Sequence, residues 1–206
     1  MELRRVALQG ELVRLEPLES KHREALARAA LSDPSIWTHI PFRVASRDDV
    51  ERLFEAAQKM HSDATAIVFA TCVGDEVVGS TSIRMVDPAT PSVEIGGTWI
   101  VPRWQRSRVN TEAKYLQCCY AFEALGVERI ELKTDAKNLR SQAAIRRIGG
   151  VEEGTFRRHM RRADGTLRDS VYFSVIAEEW PRVKRALEGM LAAPADTTTP
   201  SGHPRA

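Results

Sequence analysis

Apolar and polar residues alternate through Leu12-Val13-Arg14-Leu15-Glu16-Pro17-Leu18, the spacing of a half-buried strand that stops near Pro17. Residues 19–30 switch to the Ala, Leu, Glu and Arg content of a helix. A second helix is predicted from residue 46 to about 60, with Ser46 as its cap and Asp48 and Asp49 in the first turn, where the helix dipole favours negative charge. Residues 65–73 and 76–85 are β-rich runs around Gly74-Asp75, the signature of a tight hairpin. Val93, Ile95, Trp99, Ile100 and Val101 then give a largely buried strand, which Pro102 closes because proline has no N–H for a ladder. A helix follows over residues 112–125, capped at Asn110 or Thr111 and ended by Gly126, and then a strand over 127–134. Asn138 caps a helix over 139–148 whose apolar face is Ala144, Ile145 and Ile148 and whose end is Gly149-Gly150. Strands over 152–161 and 166–176 flank the turn dipeptide Asp164-Gly165, and residues 180–191 read as a last helix.

This order predicts an α/β (α+β) domain built on a central mixed β-sheet flanked by helices. Residues 1–9 form an N-terminal arm, 10–191 the folded domain, and 192–206 a disordered tail with too little apolar content to pack. The 206 residues suffice for one domain with a real core. Thirty basic against 28 acidic residues leave the chain nearly neutral, so it lacks the overall basic footprint of a dedicated nucleic-acid binder. Cys72, Cys118 and Cys119 suit buried reduced thiols rather than a disulfide framework, which points to the cytoplasm. No apolar run reaches membrane-spanning length, and the five histidines lack metal-ligand spacing, so neither a membrane nor a metal is expected.

Candidate chemistry gathers where the middle strand ends. Gly96-Gly97 suits either a bulge or the close approach of a ligand. Beyond Pro102, Arg103, Arg106 and Arg108 precede a helix N-terminus, whose unpaired N–H groups favour an anion; a plain solvated basic loop is the competing reading. Trp37, His39 and Phe42 lie in a proline-flanked segment without a period, which suits a core plug or a pocket wall.

Five pieces in order resemble the GNAT superfamily of acyl-CoA-dependent N-acetyltransferases, most of all its RimJ/RimL branch, which acetylates ribosomal-protein N termini. They are Glu94-Ile95-Gly96, the loop from Gln105 to Asn110, Asn138-Leu139-Arg140-Ser141, Ala144-Ile145 with Gly149, and the Asp164-Gly165 hairpin. The resemblance implies a GNAT-like fold and transfer of an acetyl group from acetyl-CoA to a primary amine, by direct attack in a ternary complex. The amine is either a protein N-terminal α-amine or a small molecule such as an aminoglycoside or polyamine. It also implies that Gln105, Arg106, Ser107, Arg108, Val109, Asn110 and Thr111 hold the pyrophosphate. Trp99, Ile100 and Val101 would offer backbone groups to pantetheine, with an amide N–H there available to a developing oxyanion, and Asn138 and Ser141 would bind the cofactor arm.

The catalytic candidates are Glu94, as a base acting directly or through a water, and Ser141, as an acid in place of the tyrosine that many members carry where Ile145 stands here. Trp37, His39 and Phe42, with the Asp164-Gly165 hairpin, would frame the acceptor; His159 and Asp169 are secondary candidates. Arg108 and Asn110 stand where the family's loop has small residues. Arg108 is therefore expected to adopt a different backbone, to be held there at a cost, or to pair with a phosphate. These departures keep open an alternative, an acyl-CoA-binding or sensor/partner-binding module with the same fold and impaired catalysis. The resemblance is compatible with a homodimer and implies no direct nucleic-acid contact.

Overall fold

A computed structural model of the chain describes residues 3–87, 89–162 and 164–193. Among them, eight strands form one sheet: β1 (Leu8–Gln9), β2 (Val13–Pro17), β3 (Ala66–Val73), β4 (Glu76–Asp87), β5 (Ser92–Ile100), β6 (Arg129–Asp135), β7 (Val151–Arg161) and β8 (Leu167–Ile176). Their spatial order is β1-β2-β3-β4-β5-β6-β8-β7. Every neighbouring pair is antiparallel except β5 and β6. The helices are α1 (Arg23–Ala30), α2 (Arg47–Ser62), α3 (Arg108–Cys119), α4 (Leu139–Arg147) and α5 (Trp180–Ala192).

Local chemistry explains most boundaries. Ser46 caps α2 by accepting from the Asp49 N–H, while the Asp49 carboxylate returns to the Ser46 N–H at 2.9 Å. Gly74 turns the β3–β4 hairpin at φ +55°, a conformation that costs an L side chain. The expected helix over 19–30 instead starts as a 3-10 turn, Ser20–His22, where the Glu19 N–H donates to His22 Nδ1 at 3.0 Å. The expected strand over 127–134 begins two residues later, because the Val127 N–H bonds back to the Ala121 carbonyl at 3.1 Å. The N-terminal arm contributes β1, paired to β2, while Ala192 belongs to α5 and Ala193 caps it; residues 194–206 of the predicted tail lie outside the described residues.

Two irregularities of β5 position the site. Its register with β4 passes from Ser80 opposite Trp99 to Ser82 opposite Gly96, so Gly97 and Thr98 face Thr81 alone in a bulge, with Gly97 at φ +60°. On the other side, β5 and β6 pair only at Ser92–Arg129, Val93–Ile130 and Glu94–Glu131, and then diverge. The core runs across this junction, with Val93, Ile95, Ile130, Leu132 and Phe173 all buried.

Candidate active site

A cleft of about 1690 Å³ runs through the divergence of β5 and β6. One end is lined by Gln105, Arg106, Ser107, Arg108, Asn110 and Thr111 with Asn138, Arg140, Ser141 and Arg147; the other by His39, Phe42, Arg84, Glu94, Lys133 and Arg168.

At the first end, the helix start differs from the one the sequence suggests. Ser107, not Asn110 or Thr111, caps α3: its Oγ accepts from the Val109 N–H at 3.3 Å and donates to the Trp104 carbonyl at 2.6 Å. Arg108 is thus the first helical residue, and its backbone needs no glycine. The left-handed conformation falls on Arg106, at φ +61°. The Arg108 guanidinium turns toward α5 and the arm, donating to the Leu191 carbonyl and lying 3.6 Å from the Glu11 carboxylate. Its buried Nε has no partner among the described residues.

Val109 is wholly buried and does not line the cleft, because its side chain points into the core and its N–H serves the cap. Val101 is likewise buried, with its N–H committed to the Val78 carbonyl at 2.9 Å. Of the three strand residues expected to meet pantetheine, Trp99 and Ile100 line the cleft. The Ile100 carbonyl accepts from Gln105 Nε2 at 2.8 Å, and Gln105 Oε1 accepts from Arg140 at 2.6 Å. Thr111 Oγ1 accepts from Arg147 at 2.8 Å. Asn138 caps α4 by accepting from the Ser141 N–H at 3.0 Å, which leaves the half-buried Ser141 hydroxyl at the cleft wall without a partner among the described residues.

This end fits a phosphate-bearing cofactor. The first turn of α3 brings Arg108, Asn110 and Thr111 to the cleft wall beside Arg106, Arg140 and Arg147, where a helix N-terminus favours an anion, and the divergence of β5 and β6 gives a narrow extended arm a place between two backbones.

At the other end, the glycine pair makes room for two side chains of opposite charge. A methyl group on Gly96 would collide with the Glu94 carboxylate, and one on Gly97 would stand 3.1 Å from an Arg84 terminal nitrogen. Glu94 Oε2 accepts from Lys133 Nζ at 2.7 Å across the opening. Arg84 Nε donates to Ser82 Oγ at 3.1 Å. His39 and Phe42 line this end, Phe42 exposed. Trp37 does not: it is buried, donates from Nε1 to the Ala30 carbonyl at 3.0 Å, and packs its ring 5.2 Å from Trp99 and 5.7 Å from Phe42. It supports the wall rather than forming it.

Neither His159 nor Asp169 lines the cleft. His159 bonds Tyr172 Oη at 3.2 Å and Ser170 Oγ at 3.1 Å, and burial together with Lys133 and Arg168 pushes its pKa down. Asp169 accepts from the Arg158 N–H at 2.6 Å, at a left-handed position of β7.

Beneath the bulge lies Lys114 of α3, buried, with Nζ donating to Thr98 Oγ1 at 2.7 Å, Gln117 Oε1 at 2.9 Å and Thr81 Oγ1 at 3.0 Å. None of these acceptors is charged, and burial pushes its pKa down to about 7. In the unfolded chain lysine keeps its proton to about pH 10.4. Above pH 7 the unfolded state therefore binds more protons than the folded one, and stability rises with pH. Wild-type protein is expected to gain stability relative to Lys114→Met from pH 7 to 9, at up to about 1.4 kcal/mol per pH unit, in melting curves across that window. Parallel curves for the two proteins would refute it.

A model of the acetyltransferase (GNAT) domain matches residues 13–151. The chain belongs to the GNAT acetyltransferase family. This GNAT chain is 26% identical over 175 residues to the Bacillus subtilis (strain 168) protein named "Putative ribosomal N-acetyltransferase YdaF", with 83% of the chain and 94% of that protein covered. It is 32% identical to a GCN5-related N-acetyltransferase from Brucella melitensis, which superposes with a TM-score of 0.85 over 93% of this chain and 88% of that one. Mycobacterium smegmatis RimJ, solved in complex with CoA-disulfide, shares the GNAT fold at 23% identity and a TM-score of 0.77, over 90% of this chain and 93% of its own. The RimJ/RimL-like branch expected from the sequence is represented among these relatives. No helix among the described residues is long and apolar enough to cross a membrane.

The sequence reading missed six charged residues of the GNAT cleft: Arg84, Lys114, Lys133, Arg140, Arg147 and Arg168. Arg140 and Arg147 stand seven apart on α4, two turns on one face, a spacing that was there to be read. Arg168 opens an alternation with Ser170, Tyr172 and Ser174 that marks the polar face of β8. Nothing local marks Lys114 or Lys133.

Proposed function

We propose that this chain transfers the acetyl group of acetyl-CoA to a primary amine, an N-terminal α-amine or the amine of a small molecule, by direct attack within a ternary complex. The observation that carries this reading is the continuity of the cleft through the β5–β6 divergence, with the start of α3 and its neighbouring arginines at one end and Glu94 at the other. Bound acetyl-CoA would supply an activated acetyl group whose sulfur leaves readily.

Gln105, Arg106, Ser107, Asn110, Arg140 and Arg147 would hold the phosphates, and Trp99, Ile100, Asn138 and Ser141 the arm. Glu94 takes a proton from the incoming amine at its carboxylate, directly or through a water. An α-amine with a pKa of about 8 makes a small demand on that base. The Ser141 hydroxyl donates at the departing sulfur, since Ile145 offers no proton. His39 and Phe42 contact the acceptor.

Initial rates measured while acetyl-CoA and an amine are both varied are expected to give intersecting lines; parallel lines, the mark of a ping-pong route, would overturn direct attack. The second reading, a module that binds acyl-CoA without transfer, is favoured by Ile145 in place of a tyrosine. Calorimetric binding of CoA without transfer to any amine would support it, and one competent acceptor would end it.

A further inference from the structure

The acceptor end of the cleft is cationic, which limits the amines that suit it. We propose that the acceptor is a primary amine bearing a carboxylate or similar anion close to the amine, gripped by Arg168, with Arg84 a second cation on the wall of the same cleft. This rests on the reading of the cleft given above and narrows its substrate class.

Arg168 is 5% exposed, yet it lines the cleft together with Met160, Lys133 and Glu94. Its Nε donates to Ser170 Oγ at 3.1 Å, and its two terminal nitrogens have no partner among the described residues. A buried guanidinium whose terminal nitrogens make no hydrogen bond is costly even with Asp135 and Glu94 near enough to favour its charge, so an anion belongs directly on it. The neighbouring carboxylates are already committed. Asp135 accepts from Arg162 at 2.6 and 3.0 Å and from the Lys137 N–H at 2.9 Å, and Glu94 is held by Lys133 at 2.7 Å. Arg84, over Gly97, also lacks an ion-pair partner among the described residues; its Nε donates to the neutral Ser82 hydroxyl.

Three cations, Arg84, Lys133 and Arg168, thus share the cleft wall with Glu94, its single carboxylate among the described residues. Such a wall repels a polycation, which argues against polyamines and aminoglycosides. It attracts an anion, and the fork of a guanidinium fits a carboxylate with two parallel bonds. An anion seated on Arg168 would bring a nearby amine toward Glu94. The anion has two sources, the acidic side chain of a peptide's first residues or the carboxylate of a free amino acid, and matched acceptors separate them.

The test compares kcat/KM for peptides beginning Ser-Asp or Ser-Asn, for a free amino acid and its amide, and for spermidine. Acidic acceptors are expected to exceed their neutral partners at least tenfold, with spermidine poorest, and the margin is expected to shrink as salt rises. Arg168→Gln is expected to raise KM for the acidic acceptor at least tenfold and so to erase the margin between acidic and neutral acceptors, and Arg168→Lys to restore part of that margin. If Arg168→Gln does not fold, Arg84→Gln carries the same comparison.

Calorimetric binding of the acidic and amidated acceptors, without acetyl-CoA, gives a second readout. A preference for the acid that is lost in the variant supports the proposal even if no transfer occurs, in which case it is the assigned reaction that fails. Equal use and equal binding of acidic and neutral acceptors, or a preference for spermidine, would overturn the proposal while leaving the acetyltransferase reading intact.

Discussion

Glu94→Gln lowers kcat with a good α-amine acceptor by about 10²-fold or more, while acetyl-CoA binds as before. The expectation follows from where the carboxylate lies. It rests over Gly96, beside the bulge and at the mouth of the opening between β5 and β6, so it faces the place where an amine and an acyl group would meet. Glutamine keeps the size and can still bond near Lys133, but it cannot accept a proton. The residues assigned to the phosphates sit at the opposite end of the cleft, so affinity for acetyl-CoA should not change. Single-turnover kinetics with calorimetry on the same samples separate the two effects. Unchanged turnover would remove Glu94 from the mechanism, whereas joint loss of turnover and binding would point to collapse of the opening. Gly96→Ala is a milder probe of the same geometry, because it displaces the carboxylate without removing it.

The second large effect concerns stability, at Glu112. This α3 carboxylate is buried and accepts from the backbone N–H groups of Glu11 at 2.6 Å, Leu12 at 3.0 Å and Val13 at 3.0 Å. It fastens the β1–β2 turn to the helix that carries the phosphate-binding end. Gly10 belongs to the same arrangement, since any side chain there would strike the carboxylate. Hydrogen bonds to an ionised group contribute about 1.5–3 kcal/mol each, and stranding their partners costs more than the bonds alone. Because Glu11 and Leu12 can reach water after the loss, Glu112→Ala is expected to cost about 3–5 kcal/mol in all. Guanidinium unfolding at constant m reads this directly. A loss under 1 kcal/mol would show that the turn holds without its anchor. Glu112→Gln, which keeps one acceptor oxygen, is expected to fall between the two.

Much of the architecture was legible because its determinants are local. Ser46 with Asp49, Gly74-Asp75 and Gly149 each act within a few residues, and each element formed where those signals lie. Gly96-Gly97 was readable as an irregularity but not as to purpose, since the side chains that need the room, Glu94 and Arg84, are brought there by strand pairing. The start of α3 was misjudged because Ser107, Asn110 and Thr111 are all able caps. What decides between them is the Trp104 carbonyl, which accepts from Ser107, and the left-handed turn at Arg106 just before it. Trp37 reads like a pocket wall when the only clue is an aromatic between prolines; burial against Trp99 makes it core. Lys114 and Lys133 escaped for a simpler reason. A lysine on a helix or strand reads as a solvent residue until its distant partners, here Thr98, Thr81 and Glu94 at 16 to 39 positions away in the chain, are known.

The brief pairing of β5 with β6 has a mechanical consequence. Three residue pairs hinge two half-sheets, β1 to β5 and β6 with β8 and β7, and beyond the hinge each presents an inner lip of backbone to the other. A molecule that bonds to both lips takes the place of a missing strand and stiffens the joint, so occupancy and rigidity become one quantity. Substitutions at Val93 or Ile130, inside the hinge and remote from any reacting group, should therefore register first as a change in how firmly the cofactor is held.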